Sequence, residues 1–211
     1  MKKALAFFGA FNPPTTAHIE LAHYAMVQTG RETVVFVPSR SAYIREEQGK
    51  DYAYSDRARL AMLRAAREKR PWMAVTDYEL TLDHQPRSYE TLCRLKEEGY
   101  EAALLMGSDK LRELSTSWRY VPEIAREFGI VCLARGTDSC PEIIRNDPFL
   151  RAISDRIILP DIPDDWRGIS STAVRETLRQ PENTEELFTG LVPDEIRTMV
   201  RRKQIQERKL P

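Results

Sequence analysis

Residues that serve redox, metal or disulfide chemistry are scarce in this sequence. Three cysteines (Cys93, Cys132, Cys140) and three histidines serve 211 positions. The cysteines fit no zinc spacing and, being odd in number, cannot complete a disulfide framework. They suit a reducing compartment, and a cytoplasmic protein is expected. His18 and His23 stand five apart, which is not the i, i+4 geometry of a helical metal pair, and no Cys/His cluster supports zinc. A metal held by protein ligands is therefore not expected. Charge of one sign is missing too: 32 basic and 32 acidic residues cancel. No global field points to nucleic acid or to a membrane surface. Long hydrophobic runs are absent. The apolar stretch Ala4–Phe8 is broken at once by Gly9, Asn12, Pro13 and Pro14, too short for a signal peptide, and nothing approaches the length of a membrane span. The Gly-Lys-Ser/Thr phosphate loop, the GxGxxG dinucleotide fingerprint and the GxSxG nucleophile elbow are all missing.

What is present is an alternation. Four near-continuously apolar runs, Ala4–Phe8, Thr33–Pro38, Ala102–Met106 and Gly129–Ala134, read as strands buried on both faces, with weaker ones at Met73–Val75 and Arg156–Leu159. Helical patterns lie between them, at Ile19–Gln28, at Ser55–Glu68 behind a Ser55-Asp56 cap, and at Ser88–Glu98. The β-α-β order implies right-handed crossovers and an α/β fold, a Rossmann-like doubly wound parallel sheet with helices on both faces. A Pro/Asp-rich loop, "PDIPDDWRG", then leads to two further helical patterns. One domain over 1–211 is expected, with a core to about 165 and a small helical part over about 166–211.

Ligands of doubly wound sheets bind at the carboxyl ends of strands, and three polar segments qualify. In "FGAFNPPTTAH", Gly9 permits close backbone approach, and Thr15 or Thr16 can cap a helix whose free N–H groups favour a phosphate. His18, in the first turn, can donate to the same anion; plain capping explains the same residues equally well. In "GISSTAVRETL", Ser170, Ser171, Thr172 and Arg175 place hydroxyls and a guanidinium at a helix start, again an anion site or a cap. In "LLMGSDKL", Gly107 and Asp109 follow a strand, where a carboxylate can accept from ribose hydroxyls, or where Ser108 or Asp109 simply caps.

The order Gly9-x-Phe11-Asn12-Pro13-x-Thr15-x-x-His18 resembles the (H/T)xGH signature of the nucleotidyltransferase superfamily, with Ala17 where many members have glycine. It is most similar to the nicotinate/nicotinamide mononucleotide adenylyltransferases, and "GISSTAVR" resembles their ISSTxxR motif. The resemblance implies ATP and a pyridine mononucleotide as partners, with pyrophosphate as the leaving group. It puts His18 and Thr15 on the α-phosphate, Ser171, Thr172 and Arg175 on the β- and γ-phosphates, and Ser170 in the same ATP site. Gly9, Phe11, Asn12, Gly107 and Asp109 would complete the ATP site. Trp118 and the segment "RSYETLCRL", with Tyr89 and Thr91, would face the pyridine nucleotide. Arg45 and Arg57 would reach phosphates from a mobile basic loop and the helix after it, although a solvated charge run is the simpler account of each. Mg2+ would ride on the ATP phosphates. A phosphopantetheine or alcohol-phosphate nucleotidyltransferase, or a non-catalytic nucleotide-binding module, are the competing readings. The basic tail from Arg201 reads as a solvated helix face or as a homo-oligomer contact.

Overall fold

The structure is a computed structural model that describes residues 1–46, 49, 54–134, 137–161, 174, 176–177 and 190–207. Six strands form one parallel sheet: β1 (Lys2–Gly9), β2 (Thr33–Pro38), β3 (Met73–Val75), β4 (Tyr100–Gly107), β5 (Ile130–Leu133) and β6 (Ile157–Ile158), in the order 3-2-1-4-5-6. All six lie where the apolar runs predict strands. The doubly wound reading holds.

Alternation along the strands builds two cores. Leu5, Phe7, Val34, Phe36, Ala103 and Leu105 face one side of the sheet, while Ala4, Ala6, Val35, Val37, Ala102 and Leu104 face the other. The first side is covered by α1 (Thr16–Gln28), α3 (Asp56–Glu68) and the last helix, α10 (Asp194–Glu207). The second is covered by α5 (Ser88–Glu97), α7 (Val121–Glu127), α8 (Cys140–Asn146) and α9 (Pro148–Ala152). Because both faces are covered, the strands carry no polar alternation, which is why they read as continuous apolar runs.

Two expectations change. The basic stretch after β2, expected as a mobile loop, contains a helix, α2 (Ser41–Glu46), that buries Ile44 and carries the exposed Arg45 in its last turn. A short helix, α4 (Tyr78–Thr81), also stands between β3 and α5. A turn or two of helix shows too little periodicity to stand out in sequence.

The strand order decides where a ligand can sit. From β1 the chain winds outward through β2 and β3, then returns to lay β4 on the other side of β1. The carboxyl ends of β1 and β4 therefore flank the switch point, the crevice in which doubly wound sheets bind ligands. Parallel register pairs Phe7 with Leu105. Beyond that pair each strand runs on to a glycine, Gly9 in β1 and Gly107 in β4.

Candidate active site

The turn out of β1 is tightly built. The Phe11 ring lies against Gly9, so that a Cβ there would meet it at 3.0 Å, and Phe11 itself has φ of +42°. Phe11 is buried among Phe7, Phe36 and His18, with ring centroids 5.3–5.4 Å away. The Asn12–Pro13 peptide is cis. Asn12 is buried, and its Oδ1 accepts the Tyr54 N–H at 2.8 Å. Among the named ATP-site residues, Phe11 and Asn12 thus shape the loop from within.

Thr15 and His18 then close the start of α1 reciprocally. Thr15 Oγ1 accepts the His18 backbone N–H at 3.2 Å, and His18 Nδ1 accepts the Thr15 backbone N–H at 3.0 Å. A backbone N–H can only donate, so Nδ1 is the acceptor nitrogen and the neutral ring carries its proton on Nε2. Thr15 Oγ1 also lies 2.7 Å from Nδ1. Histidine here takes the place that glutamate holds in the usual capping box. The half-buried His18 ring is thereby oriented by its own helix. Ala17, at the position where the motif carries glycine, turns its methyl into the core.

A buried arginine ties this loop to its neighbour. Arg59, on α3, is wholly buried. Its Nε donates to Tyr54 O at 3.1 Å, Nη1 to Ala10 O at 2.6 Å, and Nη2 to Ser39 O and to Asp56 Oδ1, the last at 2.6 Å. Burial lowers its pKa while Asp56 opposes that shift, and a guanidinium keeps its charge in either case. Ser39 in turn donates its N–H to Gly9 O at 3.0 Å. Sequence reasoning named Arg57, which is exposed, and missed Arg59. The signal was present: Arg59, Met62, Leu63 and Ala66 are the buried stripe of α3, so an arginine occupies the first position of an apolar helical face.

At the end of β4, Gly107 occupies the cap position of α6 (Ser108–Leu111), and no side chain caps that helix. Capping by Ser108 or Asp109 is thus corrected. Ser108 is buried and donates its hydroxyl to Asp138 Oδ2 at 2.8 Å, while Asp109 is exposed at the sheet edge. Ser108 and then Arg112 hold the Asp138 carboxyl below its ordinary pKa.

The remaining named residues lie farther out. Thr91 is fully buried, with its hydroxyl on Glu79 Oε1 at 2.8 Å. Tyr89 stacks on Tyr120 at 5.4 Å, packs edge-on to Phe128, and donates its hydroxyl to Glu127 at 3.2 Å. Trp118 is half-buried against the second core. Arg45 and Arg57 are exposed. Ser170, Ser171, Thr172 and Arg175 lie outside the described residues, but Val174 between them is buried in the first core, on the α1 side of the sheet. His23 stacks on Trp72 at 4.6 Å, a packing role. Among the described residues no group of three or more His, Cys, Asp or Glu could hold a metal, and no helix is long and apolar enough to cross a membrane.

The cytidylyltransferase-like family matches residues 6–177, from β1 through the "GISSTAVR" segment. The chain belongs to this family. Two relatives named "Probable nicotinate-nucleotide adenylyltransferase" run alongside it for nearly their whole length. The Clostridium novyi (strain NT) protein is 26% identical over 97% of this chain and 99% of its own. That of Carboxydothermus hydrogenoformans is 28% identical over 90% of each. Among solved structures, the nicotinic acid mononucleotide adenylyltransferase of Plasmodium falciparum, complexed with NaAD, superposes with a TM-score of 0.71. It covers all of this chain and 97% of the other at 18% identity, a likeness of fold.

Proposed function

We propose that the protein is a nicotinate-nucleotide adenylyltransferase, which joins nicotinate mononucleotide to ATP to give NaAD and pyrophosphate. The observation that carries this is the Thr15–His18 capping box at the start of α1, the helix that follows β1, whose carboxyl end flanks the switch point. It presents the start of α1 and an oriented imidazole to an anion in that crevice.

In this reading a phosphate oxygen of the mononucleotide attacks the α-phosphorus of ATP in line. The bond from that phosphorus to the bridging oxygen breaks, and pyrophosphate departs with its electrons. The attacking phosphate is already ionised, so no strong base is required, and catalysis rests on alignment and charge stabilisation. His18 Nε2–H and the helix start serve the α-phosphate, with backbone from Gly9 and Phe11. Ser170, Ser171, Thr172 and Arg175 serve the β- and γ-phosphates, and Asp109 the ribose. Mg2+ would neutralise the triphosphate through phosphate oxygens and water. The chain acts as one cytoplasmic domain.

The test is pyrophosphate release from ATP with nicotinate mononucleotide, nicotinamide mononucleotide and phosphopantetheine in parallel. Release is expected with the first and most strongly with it. ATP binding without release from any of the three would make the protein a binding module instead.

A further inference from the structure

Glu79 on α4 is a buried carboxylate that the mechanism above leaves unused. Both of its oxygens are engaged. Oε1 accepts the Thr91 hydroxyl at 2.8 Å, and Oε2 accepts the Gln85 amide N–H at 2.5 Å. Gln85 passes the connection on, because its Oε1 accepts the Arg40 backbone N–H at 3.0 Å. Arg40 follows Ser39, which is bonded to Gly9 O. Hydrogen bonds therefore join Thr91, Glu79, Gln85 and the loop after β2, converging on the Glu79 carboxylate from both sides, and Ser39 carries the link on to the end of β1. Every donor among them meets an acceptor, and an ionised carboxylate, with no proton to donate, accepts at both of its oxygens.

The described residues assigned to ATP follow the ends of β1 and β4. The β2–β3 half of the sheet edge is left for the second substrate, and that is where this chain of bonds lies.

We propose that Glu79 is a positioning residue for the mononucleotide, holding the 83–91 segment against the loop after β2 so that the second substrate meets a preformed rim. This role rests on the adenylyltransferase reading. Protonating Glu79 turns one acceptor into a donor, and one of its two bonds must then reverse or break. Burial, opposed by Gln85 and Thr91, pushes the carboxyl up to about 7, so the rim titrates near neutrality. The charged groups around it have partners of their own. Asp77 pairs with Arg64 at 2.9 Å, the Arg40 guanidinium donates to Asp83 O at 2.7 Å, Asp83 pairs with His84 at 2.6 Å, and Glu90 accepts the Arg87 N–H at 3.1 Å.

The experiment compares the full-length wild type, Glu79→Gln and Gln85→Ala. It measures KM for nicotinate mononucleotide and for ATP from pH 6 to 9, together with thermal stability. Both variants should raise the mononucleotide KM about five- to tenfold, the effect of one lost hydrogen bond, with the ATP KM within about twofold. The wild-type mononucleotide KM should rise as pH falls through 7 more steeply than that of Glu79→Gln; the substrate phosphate titrates alike in both and cancels. At pH 8 Glu79→Gln should melt no lower than wild type, since a neutral amide escapes the cost of a buried charge. Stability and KM would then move apart, which a merely structural residue does not do. A wild type that turns over the mononucleotide, beside variants whose two KM values move together or whose pH profile is unchanged, overturns the role of Glu79 alone. A wild type with no turnover overturns the adenylyltransferase reading and this role with it.

Discussion

Thr15 and His18 hold one another three residues apart, and the exchange separates two jobs that one histidine performs. Nδ1 caps the helix, and Nε2 carries the proton of the neutral ring. His18→Asn keeps an acceptor near the Nδ1 position and loses the far donor. It should leave the melting temperature near wild type while kcat falls by about 10²–10³, the cost of one lost oxyanion donor. His18→Ala should lose the same activity and, with the cap weakened, about 1 kcal/mol of stability as read by urea denaturation. Arg59 poses the reverse case, a residue whose loss is felt first in folding. It satisfies three carbonyls, one from each of three loops, and pairs with Asp56. Arg59→Ala should cost about 3–5 kcal/mol, because it strands buried acceptors and removes a buried charge pair's cation. The motif residues Gly9, Thr15 and His18 were legible because their types and spacing carry the chemistry. Arg59 could be placed on a helix face in sequence, but its carbonyl partners come from segments 20 and 49 residues away.

Helix α1 begins at Thr16, ahead of the apolar pattern that starts at Ile19, because the Thr15 cap draws the polar residues 16–18 into the first turn. Within that turn Ala17 is buried, and the motif's usual glycine would gain nothing there. Ala17→Gly should lower stability by about 1 kcal/mol through helix propensity and the lost buried methyl, with kcat/KM unchanged. At the opposite rim, α4 owes its place to the Glu79 network. Its folded pKa of about 7 lies above the ordinary 4.5. The folded state therefore binds the proton more tightly, and the resulting stability is full below about pH 4.5 and lost as pH rises through 7. The span is on the order of 3 kcal/mol, and its loss in Glu79→Gln can be followed by denaturation at pH 5 and pH 8. Strands were legible as elements because each is buried on both faces. The helices α2, α4, α6, α8 and α9 were not, since four to seven residues cannot repeat a 3.6-residue pattern.

On the scale of the molecule, the C-terminal helix is part of the core and of the site's support. Val192, Ile196 and Val200 are buried, Arg70 pairs with Glu195, and Tyr54 donates to Val200 O at 3.3 Å. The start of α1 itself is tied there, with Thr16 N–H on Leu191 O at 3.0 Å. Truncation after Gly190 should therefore remove at least about 5 kcal/mol, the burial of three aliphatic side chains, and abolish cooperative unfolding by calorimetry. The basic tail seen in sequence thus begins on a helix whose opposite stripe is apolar and used. By itself the sequence determined the parallel α/β class, the position of every strand, a threonine cap at Thr15 or Thr16 and the glycine at the end of both central strands, because each is written in a local window of residue types. Only the tertiary structure decided that β4 lies beside β1, that Arg59 rather than Arg57 is the arginine inside, and that Glu79 spans two loops. Those outcomes depend on strand pairing and burial between segments tens of residues apart, and no local pattern contains them.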